Sequence, residues 1–228
     1  MSLLKDMVEG VRTRARTARA AVFRHAFQVG EKTRILDIGS EDGTAIARVL
    51  AGSGVPPQNV YIADIAPARV QAGQRQFGFT PVVIPESGRL PFADSFFDIV
   101  YCSSVIEHVT VPKEEVWSVR SGKTFRRRAE ESQEAFAREI RRLGKSYFVQ
   151  TPNKWFPIES HTWLPFIGFA PRAAQLATIA VSNRFWIKRT NPDWHLLTAR
   201  EMRGLFPDAE IRREVFLGLT KSIMAIRR

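Results

Sequence analysis

The sequence predicts an α/β protein built on a seven-stranded, mostly parallel sheet with a C-terminal antiparallel hairpin. Short runs rich in β-branched and aromatic residues alternate with stretches of helical periodicity, an order typical of strand–helix–strand crossovers. The last two runs are separated by only three residues, which predicts the hairpin. The strand-like runs cover residues 34–38, 59–62, 81–84, 97–102, 147–150, 210–216 and 220–226.

Helices are predicted before the first strand, between strands and near the C-terminus. Residues 1–30 read as an amphipathic basic helix, because arginines lie between apolar residues at helical spacing: Leu4, Val8, Val11, Ala15, Ala18 and Val22. A long helix is expected within residues 112–143, with Gly144 as its stop. Thr198 and Glu201 have the spacing of a capping box, so a helix should begin there. Residues 31–228 are expected to form one domain, in which 151–197 is a lid insertion on the substrate side.

Composition limits the class of protein but leaves its partner open. The chain has 228 residues with 34 Lys and Arg against 23 Asp and Glu, a formal net charge of +11. Such a charge attracts nucleic acid, an anionic membrane surface or acidic small molecules. The only cysteine, Cys102, excludes internal disulfides and a CxxC zinc site, and no metal site is predicted. A cytoplasmic location is expected, because neither a signal peptide nor a run of 18 apolar residues is present.

The most informative segment is ILDIGSEDGT at residues 35–44. A buried-strand run ends at Asp37, turns through Gly39, and reaches Gly43 at the start of a helical stretch. Glycine permits a tight turn and close approach of the backbone to a ligand, and a helix N-terminus favours an anionic group. Asp64 ends the next strand-like run, where a carboxylate can bind the two hydroxyls of a ribose. The pattern therefore predicts a cofactor that contains a nucleoside.

The charge of the same loop favours one cofactor over another. Glu41 and Asp42 stand where a dinucleotide would place its pyrophosphate, and their charge would repel it. S-adenosylmethionine carries a sulfonium and an ammonium group, which these carboxylates would attract. The sequence therefore favours S-adenosylmethionine.

With its DxGxxxG loop and the segment RLPFADSFFDIVYCSSVIEHV, the chain resembles the class I S-adenosylmethionine-dependent methyltransferases over about residues 34–109. The segment TPNKWFPIESH is similar to a TPN-x-FPIE-x-H segment in a type 11-like bacterial branch. The resemblance implies a Rossmann-like fold in which Asp37 holds the methionine amino group, Asp64 the ribose and Glu86 the adenine amine. The cofactor-binding residues that it implies are Asp37, Gly39, Ser40, Gly43, Asp64, Ile65, Glu86, Ser87 and Ser103.

Candidate catalytic residues follow the fourth and fifth strands. His108 comes just after the fourth and could be a general base near the acceptor, or it could make a structural hydrogen bond. After the fifth strand, Glu159 and His161 supply polar groups to an aromatic stretch containing Trp155, Phe156, Trp163 and Phe166, which suits an acceptor pocket or a packing loop. His195 is more simply explained by a structural role.

The predicted function is methyl transfer from S-adenosylmethionine to a small organic or lipid- or glycan-linked acceptor. RNA is the second choice, because the run at residues 102–105 is Cys-Ser-Ser-Val and lacks the Asn/Asp-Pro-Pro-Tyr/Phe motif of base amino-methylation. The basic stretch at 120–128 would suit RNA or an anionic membrane surface. A non-catalytic nucleotide-binding scaffold of the same fold is the third alternative.

Overall fold

The computed structural model describes residues 2–39, 41–186 and 188–228, and in the first helix it describes side chains at residue 10 and from residue 13 onward. The helices are α1 (Ser2–Ala26), α2 (Thr44–Val49), α3 (Pro67–Phe77), α4 (Gly122–Leu143), α5 (Arg172–Ser182) and α6 (Ala199–Leu205). The strands are β1 (Ile35–Ile38), β2 (Val60–Asp64), β3 (Thr80–Val83), β4 (Phe97–Ser103), β5 (Gly144–Pro152), β6 (Glu210–Phe216) and β7 (Leu219–Arg227).

The strands form a seven-stranded sheet in the order β3-β2-β1-β4-β5-β7-β6. β1 pairs in parallel with β2 and with β4, and β2 pairs in parallel with β3. β7 runs antiparallel to both β5 and β6. The predicted mostly parallel sheet with a C-terminal hairpin is therefore confirmed.

By its internal contacts the chain divides into two compact units. Unit 1 comprises Met1–Tyr101, Gly144–Ser146 and Arg228, and unit 2 comprises Cys102–Leu143 and Tyr147–Arg227. Within the described part of the chain, no helix combines the length and apolar character needed to cross a membrane.

The buried face of α1, in unit 1, agrees with the predicted stripe at Ala15 and differs from it further along the helix. The side chains of Leu4, Val8 and Val11 lie outside the described residues. Ala18 is exposed and Val22 is only half-buried, whereas Phe23 and Phe27 are buried. The Phe23 ring packs edge-on against Tyr101 with centroids 5.5 Å apart. Phe23, and Phe27 just past the end of the helix, bury more apolar surface than Ala18 or Val22 could, and they set the rotation of the helix.

Unit 2 contains one predicted helix start and one unpredicted helix. The capping box is present: Thr198 Oγ1 accepts the Glu201 N–H at 3.2 Å, and Glu201 Oε2 accepts the Thr198 N–H at 2.7 Å. α5 lies inside the predicted lid. Its sequence carries apolar residues on both its buried and its exposed sides, and therefore lacks the amphipathic pattern that identifies a surface helix.

Candidate functional site

The loop after β1 makes the tight turn that its glycines predict. Gly39 and Gly43 have φ of +77° and +76°, in the left-handed region that favours glycine. The Gly39 N–H donates to Ala63 O on β2 at 2.7 Å. Asp37, at the end of β1, is buried, and Ser40 lies outside the described residues. Unit 1 therefore places a buried carboxylate beside a backbone turn suited to close approach of a ligand.

Asp64 ends β2 and fastens the same loop. Its Oδ2 accepts the Glu41 N–H at 3.3 Å, and its Oδ1 accepts the Ala66 N–H at 2.9 Å. A carboxylate has about four acceptor positions, so both oxygens keep capacity for further donors such as ribose hydroxyls. The adjacent Ile65 is largely exposed. This arrangement fits a nucleoside: a carboxylate for its sugar next to an apolar side chain.

The start of α2 is less open to an anion than the sequence suggests. The Thr44 N–H donates to Asp42 Oδ1 at 3.0 Å, and this bond holds the pKa of Asp42 below its usual value. A Cβ on Gly43 would lie 2.9 Å from the Phe79 ring, so packing also requires glycine there. Glu41 pairs with Arg69 at 3.1 Å, which neutralises part of the loop's negative charge.

The remaining predicted cofactor residues lie in different surroundings. Glu86 and Ser87 are exposed in a turn closed by the Gly88 N–H donating to Pro85 O at 2.8 Å. Ser103 belongs to unit 2, where its hydroxyl donates to Gln150 Oε1 at 2.8 Å. Gln150, on β5, is fully buried. The contacts of all three with the cofactor stay predictions.

Unit 2 brings the three predicted catalytic residues together with two carboxylates that the sequence reasoning did not select. His108 Nδ1 lies 3.1 Å from Asp193 Oδ1, and His161 Nδ1 lies 2.5 Å from Glu159 Oε1. The two imidazole rings meet edge to face with centroids 4.6 Å apart. Glu107, fully buried, places its Oε1 3.8 Å from His161 Nε2. We call these five side chains the His–carboxylate cluster.

Glu159 is fixed by the backbone as well as by His161. Its Oε1 accepts the His161 N–H at 2.8 Å, and its Oε2 accepts the Thr162 N–H at 2.7 Å. Burial raises the pKa of Glu159, but His161 and these N–H groups outweigh it, so the net pKa lies below the usual value. Two N–H donors and one imidazole therefore keep this buried carboxylate charged.

The pKa values of the other pair are shifted in opposite directions. Burial lowers the pKa of His108, but the hydrogen bond with Asp193 and the charge of Glu107 outweigh it, so the net pKa is raised. Burial raises the pKa of Asp193, but the hydrogen bond and charge of His108 lower it by more, so the net pKa lies below the usual value. Burial and pairing thus produce a carboxylate–imidazole unit.

His195 has the structural role that the sequence favoured. Its Nδ1 lies 3.1 Å from Gln133 Oε1, and its backbone N–H donates to Glu107 O at 2.7 Å. Burial lowers the pKa of His195 to about 4, so the ring is neutral at neutral pH. The backbone N–H of His195 therefore fixes the backbone at Glu107, a member of the His–carboxylate cluster.

Part of the aromatic stretch after β5 is exposed to solvent. Trp155 and Phe166 are 61% and 66% exposed, and Phe169 is 44% exposed. The Trp155 ring stacks on Phe169 with centroids 5.9 Å apart, and Phe166 lies 6.4 Å from Phe169. These three side chains therefore form an aromatic cluster that faces solvent.

Comparison with known proteins gives a family match and several solved structures with the same fold. Residues 36–146 match the model of a family described as "Methyltransferase domain". No curated protein matches the chain in sequence. The fold is similar to an S-adenosylmethionine-dependent methyltransferase from Mesorhizobium loti, at 13% identity and a TM-score of 0.55, covering 91% of this chain and 96% of that one.

Two further solved structures share the fold. The magnesium protoporphyrin IX methyltransferase of Synechocystis, solved with bound SAH, is 15% identical with a TM-score of 0.51, covering 95% of this chain and 84% of that one. A protein from Rhodobacter sphaeroides, described as a putative zinc-dependent alcohol dehydrogenase, is 12% identical with a TM-score of 0.58, covering 92% of this chain and 88% of that one. At these identities the likeness establishes the fold alone.

Proposed function

We propose that this chain is a class I S-adenosylmethionine-dependent methyltransferase that methylates a small organic acceptor held at a lipid surface. The observation that carries the proposal is the pair of buried carboxylates Asp37 and Asp64, at the carboxyl ends of the neighbouring parallel strands β1 and β2. Ligands of open α/β sheets bind at this edge. Asp37 would hold the ammonium group of the cofactor, and Asp64 the ribose hydroxyls.

S-adenosylmethionine supplies an electrophilic methyl group on a sulfonium. A lone pair of the acceptor forms the new bond to carbon, the carbon–sulfur electron pair stays on sulfur, and the sulfur becomes a neutral thioether. An acceptor proton, where there is one, leaves. The protein's task is mainly to align the reactants, which is worth about 7–11 kcal/mol in favourable cases.

The acceptor is assigned to the His–carboxylate cluster. Asp193 and Glu159 engage the Nδ1 atoms of His108 and His161, so Nε2 is the ring nitrogen that each histidine can offer to an acceptor. The His108 side chain is 34% exposed, which leaves it accessible. Glu159 would act by orienting His161.

A lipid-held acceptor is favoured by the exposed apolar groups of unit 2. The outward positions of α5 are apolar except for Thr178, and no charged residue occurs from position 173 to 182. The aromatic cluster of Trp155, Phe166 and Phe169 precedes this helix, and Phe185, 74% exposed, follows it. Lys154, Arg184 and Arg189 belong to the same segment. Exposed aromatic side chains with flanking basic residues are typical of proteins that bind anionic membrane surfaces.

RNA is less favoured because two arginines of the basic stretch at 120–128 are paired with acids. Arg128 contacts Glu115 at 2.6 Å, and Arg127 contacts Glu131 at 3.6 Å. Such pairs reduce the positive potential that a phosphate backbone would need. The stretch is therefore better explained as a solvated helix face.

The proposal is tested by incubating the protein with S-adenosylmethionine labelled in its methyl group and with fractionated cell extract. We expect the label in the lipid fraction, and we expect Phe166→Ser to reduce it several-fold without changing cofactor affinity. Label in RNA, or cofactor binding with no label in any fraction, would overturn the assignment of the acceptor.

Asp64→Ala is expected to raise the dissociation constant of S-adenosylmethionine about 10- to 150-fold. The variant loses a charge-assisted hydrogen bond to the ribose, worth about 1.5–3 kcal/mol, and loosens the loop that the carboxylate fastens at Glu41. Isothermal titration calorimetry measures the change, with the exposed Glu31→Ala as a matched control. Equal affinity of Asp64→Ala and the parent would place the ribose elsewhere.

A further inference from the structure

Glu107 presents a buried carboxylate oxygen with no hydrogen-bond partner among the described residues. Its Oε2 accepts the Thr151 hydroxyl at 3.0 Å, whereas its Oε1 has no such partner. His161 Nε2 lies 3.8 Å from this Oε1, beyond hydrogen-bond distance. A fully buried carboxylate oxygen without a partner costs folding free energy unless a cation or a hydrogen-bond donor contacts it.

Both histidines are oriented as metal ligands usually are. A metal-binding histidine almost always engages its second ring nitrogen with a carboxylate, carbonyl or water, which fixes the ring and its tautomer. Here Asp193 engages Nδ1 of His108 at 3.1 Å, and Glu159 engages Nδ1 of His161 at 2.5 Å. Each histidine therefore has Nε2 available for coordination.

The separation of the donor atoms suits one ion. One donor atom from each of Glu107, His108 and His161 can be chosen so that all lie within 4.8 Å of one another. Two ligands at about 2.1 Å from a tetrahedral ion are about 3.4 Å apart, so small side-chain shifts would close the site. The cluster also holds three carboxylates, and because imidazoles bind a metal in their neutral form, a divalent cation would offset part of this negative charge.

We propose that Glu107, His108 and His161 bind one divalent first-row transition-metal ion, with Asp193 and Glu159 as the positioning carboxylates. Two imidazoles and one carboxylate suit zinc or iron better than magnesium, which prefers oxygen ligands. Three protein ligands leave at least one coordination position open.

The role of the open coordination position in methyl transfer rests on the proposed function. A metal ion there would bind an oxygen atom of the acceptor and lower the pKa of its hydroxyl group, so the acceptor would be an oxygen acid such as a phenol or an enol. The proton would then leave to solvent, because both Nε2 atoms would be ligands. The proposal of the metal site itself depends only on the geometry of the side chains.

The test is zinc titration of the full chain after removal of metal by a chelator. We expect one zinc ion per chain by calorimetry, and a cobalt-bound form with the visible absorption of a four-coordinate ion. His161→Ala and the nearly isosteric Glu107→Gln should weaken zinc binding at least 100-fold. Asp193→Asn should weaken it about 10- to 100-fold, as for other groups that orient a ligand.

The controls separate this site from the proposed function. His25→Ala removes an exposed histidine of α1 and should leave zinc affinity unchanged. Equal zinc affinity of the parent, His161→Ala and Glu107→Gln, with each variant shown to be folded by circular dichroism, would overturn the metal site. Binding of S-adenosylmethionine to the metal-free parent would then still support the proposed function. Zinc binding without any cofactor binding would instead support the metal site and overturn the function.

Discussion

Gly73→Ala is expected to lower the affinity for S-adenosylmethionine about tenfold or more and to destabilise unit 1 by about 1–3 kcal/mol. Gly73 lies in α3, where a Cβ would be 2.4 Å from Ile62 Cδ1 and 2.5 Å from the backbone oxygen of Asp42. A side-chain atom could rotate away, but the Asp42 carbonyl belongs to the cofactor loop and can retreat only if the loop moves. The variant should therefore affect cofactor binding and stability together.

The matched control is Gly204→Ala in α6. A Cβ there has nothing within 4 Å, and its φ is not in the left-handed region. Alanine should stabilise this helix by about 0.4–1 kcal/mol through the lower entropy of the unfolded chain. Denaturant unfolding and calorimetry compare the two variants. If Gly73→Ala bound the cofactor like the parent, α3 would not set the position of the loop.

The parts of the fold that were predicted correctly are those with a local signal. The strand runs, the capping box at Thr198 and the hairpin each follow from short patterns of apolar residues or turn residues. Asp37 and Asp64 could be selected because each comes at the end of a strand-like run, Asp37 before a glycine turn, and their contacts with a cofactor stay predictions. Gly73 carries no such signal, since its requirement arises only when α3 packs on the loop.

The His–carboxylate cluster was predicted only in part, for a related reason. His108, Glu159 and His161 stand out because they follow strands or belong to a recognisable segment. Asp193 is 85 residues from His108 in sequence, and only the folded chain brings the two together. The histidine could be selected from the sequence, but its orientation by a carboxylate could not.

The structure differs from the prediction at the buried face of α1 and at the N-terminus of α2. The stripe predicted on α1 gave Ala18 and Val22 the same weight as larger residues, but Phe23 and Phe27 set the buried face. The free N-terminus expected at α2 is already occupied by the Asp42 carboxylate. Periodicity weighs apolar residues equally and does not show which acid folds back onto its own helix.

Arg172→Met is expected to cost about 2–6 kcal/mol of the free energy of unfolding of unit 2. Arg172 is buried, and its guanidinium donates to Pro192 O at 2.6 Å and to Val116 O at 2.8 Å. It also lies over the Phe125 ring at 3.8 Å, and burial lowers its pKa to about 10. Methionine fills similar space but donates no hydrogen bond. It leaves two buried carbonyls without a donor, at about 1–3 kcal/mol each.

The loss of the Arg172 hydrogen bonds should also affect the His–carboxylate cluster, because Pro192 immediately precedes Asp193. A backbone that is no longer held at the Pro192 carbonyl should let the Asp193 carboxylate move from His108, so methyl transfer and zinc affinity should both fall in Arg172→Met. Arg172→Lys keeps the charge, but its single ammonium group lacks the forked guanidinium and cannot donate to both carbonyls. Its stability should lie between those of the parent and Arg172→Met. The exposed Arg203→Met should change stability by less than about 0.5 kcal/mol. Denaturant unfolding of the three variants measures the difference, and an unchanged midpoint for Arg172→Met would show that water replaces the guanidinium at both carbonyls.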